Sequence, residues 1–403
     1  MKKLGSNAVT TREKNIALII KLINRNNRGS GGCSRAELAV QTGLTQASIT
    51  YITKELIRWG LIRETGVLEG RTRHPSIGLA IDRENYGIIG VQINREYVRA
   101  GLFAIDGETL YTECETFPAP AEPGMVMERM YQCIGRILRR IPAGTTALAV
   151  GVALPGPFLP AKGKIELMTG APGWSEIDIQ GELAKRYALP VFLEHDANCG
   201  ALAELWYGDT ETQHNILYVN VANGIGAGLI FDGKLTRGQI GTAGEIGHMS
   251  LNFDGPPCEC GNRGCLELYC SLGKLKSDYD ALTGTSGKTA EEILLLAKNG
   301  DVPAENALEK SASYLGIGLA NLVNILNPGT IILSDTFAAA GETLTKLVRW
   351  HMNRYLLHDI AECVEVRTAS GPLEEITMRG ASVAALEQLL KEPTKYFCGN
   401  SMK

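Results

Sequence analysis

The sequence predicts an α/β protein with a small basic head joined to a larger two-lobed body, and three observations carry that prediction. Residues 1 to 80 hold 13 Lys and Arg against 5 Asp and Glu, whereas residues 81 to 403 hold 27 against 39. Apolar residues in the head recur at helical spacing between glycine turns. From Tyr86 onward the pattern changes to hairpins mixed with βαβ units, as a two-lobed α/β body requires. A chain of 403 residues has room for two or three domains.

The composition is that of a globular protein, with 44% hydrophobic residues, 21% charged residues and a net charge of −4, which excludes a disordered tail or a collagen-like chain. The best N-terminal apolar run, residues 16 to 23, is broken by Lys21 and is far shorter than the ~18 residues of a membrane span, so no membrane partner is expected and the reading is cytoplasmic. Ten cysteines are too dilute for a disulfide scaffold. Cys258, Cys260 and Cys265 nevertheless fall within eight residues, as a metal site would place them.

In the head, Ile16, Ile19, Ile20 and Ile23 give a helix over residues 13 to 26, ended by the run Arg28-Gly29-Ser30-Gly31-Gly32. Ser34 and Glu37 form a capping box for a second helix that stops at Gly43. Thr45 caps a third, whose inward face is Ile49, Ile52, Leu56 and Trp59 and whose outward first turns are Gln46, Ala47, Ser48, Thr50 and Tyr51. A hairpin follows over residues 61 to 67 and 77 to 81, with Arg71, Arg73 and His74 at its tip. Any small helical bundle contains such turns. The glycine turn, the wing and the local charge of +8 together point to a winged helix-turn-helix that binds double-stranded DNA through Gln46, Ala47, Ser48, Thr50, Tyr51, Arg71 and Arg73.

The body reads as strands over residues 86 to 93, 97 to 105 and 109 to 117, a helix over 125 to 141, a strand over 147 to 154, a helix over 179 to 187 and a strand over 190 to 194. Its clearest chemistry is His248 followed by Cys258, Cys260 and Cys265. One imidazole and three thiolates match tetrahedral zinc, and glycines between them let the loop turn each sulfur inward. Four protein ligands leave no position for activated water, so one structural zinc per chain is expected.

Glu245 and Glu267 flank that loop, and Glu194-His195-Asp196-Ala197-Asn198 lies where a strand meets a helix. Carboxylates and imidazoles at strand ends suit recognition of vicinal hydroxyls or general-base work, although Asp196 alone also reads as a helix N-cap. The run Gly284-Thr285-Ser286-Gly287-Lys288-Thr289 imitates a phosphate loop, but Leu282 stands where its first glycine belongs and no strand precedes it, so it reads as a surface turn before a helix over residues 290 to 297.

These residues resemble the ROK family of repressors, open reading frames and sugar kinases, and with the basic head they resemble its xylose-repressor and N-acetylglucosamine-repressor branch. The resemblance spans the Gly70-Arg71 wing, Leu154-Pro155-Gly156-Pro157, Pro172-Gly173-Trp174, residues 194 to 198 with Ala203-Glu204, residues 241 to 248, the loop through Glu267 and Tyr269, and residues 316 to 321 with Asn327-Pro328. It implies an actin-like, ribonuclease-H-like fold with a sugar contacted by His195, Asp196, Glu245, His248 and Glu267, His248 touching both sugar and zinc. It also implies a homodimer or homotetramer. The expected division is a DNA-binding domain at 1 to 81, a smaller lobe at 82 to 198 completed by a C-terminal helix at 378 to 392, and a larger lobe at 199 to 377 with the zinc loop and the oligomerisation surface.

Kinases of that fold carry Asp-x-Gly-Gly-Thr on the first hairpin, and here Gln92, Asn94, Arg95 and Glu96 occupy the turn. The second phosphate loop reads Ala222-Asn223-Gly224-Ile225-Gly226-Ala227-Gly228 and loses its threonine, and Ser334-Asp335 replaces a glycine pair. The expectation is therefore a sugar-responsive repressor with no catalytic residues, Asp196 serving binding. A sugar kinase with a DNA-binding head is the alternative, and a DNA-binding protein whose body only oligomerises is a third. The segment Cys258 to Tyr269 is most similar to xylose repressors, which favours xylose.

Overall fold

The computed structural model describes residues 8–30, 32–68, 76–156, 158–159, 164–165, 173–208 and 215–397. Its first helix, Ala8–Ser30, buries Ile16, Ile19, Ile20 and Ile23 completely. It begins five residues earlier and ends four residues later than the spacing predicts. A glycine in a final helical turn costs only about 1 kcal/mol, so Gly29 is tolerated there, whereas Gly32 at φ +122° cannot continue the helix.

The short helix Arg35–Thr42 starts on the capping box of Ser34 and Glu37 and ends at Gly43, φ +70°. Thr45 then accepts from Ser48 N–H to start Gln46–Arg58, which buries Ile49, Ile52 and Leu56. Strands Ile62–Leu68 and Ser76–Ile81 pair as an antiparallel hairpin, and Cys33–Ser34 adds a third strand beside Ser76–Ile81. Helix, strand, helix, helix and hairpin follow one another in the order that a winged helix-turn-helix would have. The wing tip, with Arg71, Arg73 and His74, lies outside the described residues.

Two five-stranded sheets follow, and they share one strand order. In the first, the hairpin strands Tyr86–Ile93, Tyr97–Ala104 and Thr109–Thr116 are antiparallel neighbours; Thr146–Leu154 pairs in parallel with Tyr86–Ile93, and Val191–His195 lies beyond it. In the second, Ile216–Val221, Ile225–Phe231 and Lys234–Leu235 are the antiparallel strands, Thr330–Ser334 pairs in parallel with Ile216–Val221, and Glu365–Thr368 lies beyond it. The chain forms two compact units, residues 1–153 with 178–193 and 381–403, and residues 154–177 with 194–380.

The core of the second unit lies where Val219, Val221, Leu315, Leu319, Ile331 and Leu333 are buried together. Gly284, φ +68°, ends the helix Leu272–Thr283, and Thr289 with Glu292 caps Ala290–Lys298, so residues 284–289 are the expected connecting turn. Among the described residues no helix is long and apolar enough to cross a membrane.

Candidate functional site

The helix Gln46–Arg58 exposes Gln46, Ala47, Ser48 and Tyr51, while Thr50 is half-buried. The Arg12 guanidinium lies 5.9 Å from the Tyr51 ring centroid and is paired with Glu55, so the first helix steadies this face. Lys54 and Arg58 are exposed on it as well. The spacing 47, 51, 54, 58 marks one helical stripe, a signal for these two cations that the choice of short polar side chains overlooked.

The strand Val191–His195 runs directly into the helix Asp196–Tyr207. Asp196 is the first helical residue rather than the N-cap, and its Oδ1 accepts from the adjacent Ala197 N–H at 2.6 Å. The His195 ring stands between two carboxylates, Nδ1 3.5 Å from Asp196 Oδ1 and Nε2 3.4 Å from Glu245 Oε1. Burial pushes the Asp196 carboxyl above its usual range against the pull of His195. Glu245 is raised as well, first by burial and then by neighbouring Asp196 and Glu267.

Glycines bring these groups together. A Cβ on Gly228 would collide with the Ala197 carbonyl, and one on Gly226 would lie 3.3 Å from His195 Cε1, so the helix bearing Asp196 rests directly on the strand Ile225–Phe231. Gly244, φ +102°, and Gly247 meet the same strand at the backbone oxygens of Ala227 and Ile225. One strand therefore gauges both segments of the wall. Gly156 borders it too, since a Cβ there would sit 3.7 Å from Glu245 Oε2 and 3.8 Å from His195 Nε2.

His248, Cys258, Cys260 and Cys265 offer ligand atoms that all lie within 4.8 Å of one another, a cluster that could hold a metal ion. The Cys260 and Cys265 sulfurs are 3.7 Å apart, and Cys258 Sγ is 3.8 Å from His248 Nδ1. These are the separations that ~2.3 Å Zn–S and ~2.0 Å Zn–N bonds span in a tetrahedron. Gly261 and Gly264, φ +89° and +64°, make the bends that turn the sulfurs inward. Burial pushes the Cys258 thiol up to about 12, and a dication would reverse this by holding the thiolate. Glu267 Oε1 is 3.3 Å from His248 Nδ1, which sets the carboxylate wall beside the cluster.

Sequence reasoning singled out Glu194 but missed Arg237 and the pair that the two form. Glu194, nearly buried, accepts from His195 N–H and Asn198 Nδ2 through one oxygen and from Arg237 through the other. Arg237 is 43 residues away, and no local pattern announces such a pair.

Known proteins resemble this chain in sequence and in fold. The model of the ROK family matches residues 88–388. The xylose repressor of Bacillus subtilis is 28% identical over 360 residues, covering 89% of this chain and 91% of its own. The DNA-binding transcriptional dual regulator NagC of Escherichia coli is 29% identical over 366 residues, covering 87% of each. A solved ROK family transcriptional regulator, a homologue of the Escherichia coli MLC protein, superposes with a TM-score of 0.78 at 26% identity over 95% of this chain and 97% of that one. A ROK hexokinase from Thermus thermophilus superposes with a TM-score of 0.62 at 31% identity over 75% of this chain and 99% of that one. The duplicated sheet order is thus the kinase-like, actin-like body shared by regulators and kinases, and the chain belongs to the ROK family.

Proposed function

We propose that this chain is a monosaccharide-responsive transcriptional repressor of carbohydrate-utilisation genes, acting in the cytoplasm. The observation that carries the reading is one chain combining a basic head, its helix Gln46–Arg58 exposing a polar face, with a wall of half-buried carboxylates around the buried His195 beside a four-ligand metal cluster. The relatives named for a repressor and a transcriptional regulator cover both the head and the body.

In this reading Gln46, Ala47, Ser48, Thr50 and Tyr51 face base edges while Lys54 and Arg58 meet phosphate. Arg71 and Arg73 supply the wing. Two heads in a homodimer or homotetramer match two half-sites. His195, Asp196, Glu245, His248 and Glu267 bind the sugar hydroxyls.

One structural zinc sits on His248 Nδ1 and the three thiolates. Bound through Nδ1, the imidazole keeps its proton on Nε2 and can only donate there, which fixes the polarity of one hydroxyl contact. The relatives named for xylose and for transcriptional regulation by NagC are almost equally similar, so the effector is drawn at the level of a monosaccharide, with xylose favoured by the loop from Cys258 to Tyr269.

The body senses rather than phosphorylates. Asn94, in the turn where a kinase approaches phosphate, spends its amide on Tyr97 Oη at 3.1 Å and its carbonyl on Arg95 N–H. Asp335 holds a φ of +63°, a conformation suited to glycine, and puts a carboxylate where a glycine pair would admit a nucleotide. The sugar acts by its different affinity for two conformations of the body. Swinging such an equilibrium from 1:99 to 99:1 takes about 5.5 kcal/mol, within reach of two or three charge-assisted hydrogen bonds at ~1.5 to 3 kcal/mol each.

The test is selection of duplexes from a random DNA pool, followed by titration of the selected complex with xylose, glucose, N-acetylglucosamine and related monosaccharides. Salt-dependent, sequence-selective binding released by one of these sugars is expected. Failure to enrich any sequence would defeat the reading.

A further inference from the structure

The recognition helix ends against the first strand of the body. After Gln46–Arg58, the carbonyl oxygens of Trp59, Gly60 and Leu61 lie past the last helical turn, where orphan acceptors need donors from elsewhere. All three find them within five consecutive residues. Tyr86 Oη donates to the Trp59 carbonyl at 2.7 Å, Asn85 Nδ2 to that of Gly60 at 3.1 Å, and Asp82 N–H to that of Leu61 at 3.0 Å. Only residues 82 to 85 separate the hairpin from the strand Tyr86–Ile93, so the head is attached by a hydrogen-bonded joint.

The joint is braced from behind. Tyr86 is 2% exposed, and its ring meets Phe397 edge to face with centroids 5.6 Å apart. Phe397, itself fully buried, closes the C-terminal helix Pro393–Phe397. Lys21 in the first helix pairs with Glu387 in Leu373–Leu389 at 2.7 Å. The strand that Tyr86 opens is two places from Val191–His195 in the same sheet, and that strand ends in the proposed sugar wall.

We propose that Tyr86 is a positioning residue for DNA reading. Its hydroxyl fixes the angle at which Gln46–Arg58 is presented, and the sugar's effect on operator affinity passes through this bond. The inference rests on the DNA-binding and sugar-binding reading above. A hydrogen bond from a wedged ring to a helix-end carbonyl is directional, so displacement of the strand is passed to the helix axis rather than absorbed. Coupling of this kind is demonstrated by a changed ratio of affinities, never by proximity alone.

The experiment uses the full chain with Tyr86→Phe, which keeps the ring and its edge contact and removes only the hydroxyl. Affinity for the selected duplex is measured with and without a saturating concentration of the monosaccharide that releases the wild type. Sugar affinity is measured separately by calorimetry without DNA. The expected result is a sugar-induced change in duplex affinity reduced by about 5-fold, the weight of one ordinary hydrogen bond, with the DNA-free sugar Kd within about twofold of wild type.

A ratio equal to that of wild type, whether or not duplex affinity itself falls, would make the hydroxyl a simple helix cap and overturn the proposal. Asn85→Ala removes the neighbouring bond and is expected to compress the ratio in the same direction, so the question stays answerable if Tyr86→Phe folds poorly. An unchanged ratio there overturns it equally. A wild-type chain that binds DNA with no response to any sugar would instead defeat the functional reading beneath it.

Discussion

Glu194 and Arg237 form a charge pair at 2.7 Å that joins the two segments of the proposed sugar wall. Glu194 precedes His195 at the end of its strand, and Arg237 opens the loop that closes on Ala243 and leads to Glu245. Arg237→Gln removes two charge-assisted bonds from a nearly buried carboxylate, each worth ~1.5 to 3 kcal/mol, and should weaken monosaccharide binding about tenfold or more while zinc content stays at wild type. Calorimetry and elemental analysis on the same sample check both halves. An unchanged sugar Kd would show that the wall holds its spacing without this pair.

Asp196→Asn preserves shape and removes the charge. Duplex binding without sugar should remain near wild type, and release should need a sugar concentration at least about tenfold higher, as the loss of one charge-assisted acceptor implies. A titration of the preformed complex reads this directly. Release at the wild-type concentration would take Asp196 out of the sensing site.

The raised pKa of Asp196 gives a second readout from the same variant. A folded carboxyl that holds its proton longer than the unfolded one, whose pKa is ~3.9, makes the folded state bind more protons in the window above that value. Its contribution to stability therefore falls as pH rises from ~3.9 through the folded value. Urea unfolding of the sugar-free protein at a series of pH values should show a downward slope that Asp196→Asn reduces. Parallel curves for the two proteins would contradict the assignment.

Cys260→Ala opens the four-ligand cluster. Elemental analysis should find about one zinc per chain in wild type purified without chelator and little in the variant, and sugar binding should weaken because Glu267 and His248 lose their support. Full sugar affinity in a zinc-free variant would separate the metal from the sensing wall.

ATP consumption offers the sharpest contrast with the kinase alternative. In the proposed reading Gln92, Asn94, Arg95, Glu96 and Asn223 replace the residues with which a kinase of this family would cradle magnesium and phosphate, so no sugar-dependent turnover is expected. A coupled assay giving a kcat of about 1 to 1000 per second with any monosaccharide would establish the kinase reading instead.

Features written in adjacent residues were readable before the fold was known. The Ser34 and Glu37 box, the stop at Gly43 and the Thr45 cap are contacts across four residues or fewer, and each is present. The strand Tyr86–Ile93 and the helix Ile179–Tyr187 fall on the residues their periodicity predicts. The helix expected from residue 125 begins instead at Pro123, a residue well suited to a first helical turn. Features that depend on long-range partners were hidden. Nothing near Glu194 announces Arg237, and nothing near Trp59 announces Tyr86, because both bonds exist only once distant segments are packed.

The strand Ile225–Phe231 has a consequence for how this body can change what it recognises. At Gly228, Gly244 and Gly247 the nearest neighbours across these contacts are the main-chain oxygens of Ala197, Ala227 and Ile225, so the separation of the two segments is set there by close backbone approach rather than by a long side chain. A new hydroxyl pattern can then be matched by exchanging residues such as His195 while the frame keeps its dimensions. An added methyl at Gly228 or Gly244 would instead move every contact at once. Variation in effector should therefore concentrate at the tips of the wall and leave its ruler alone.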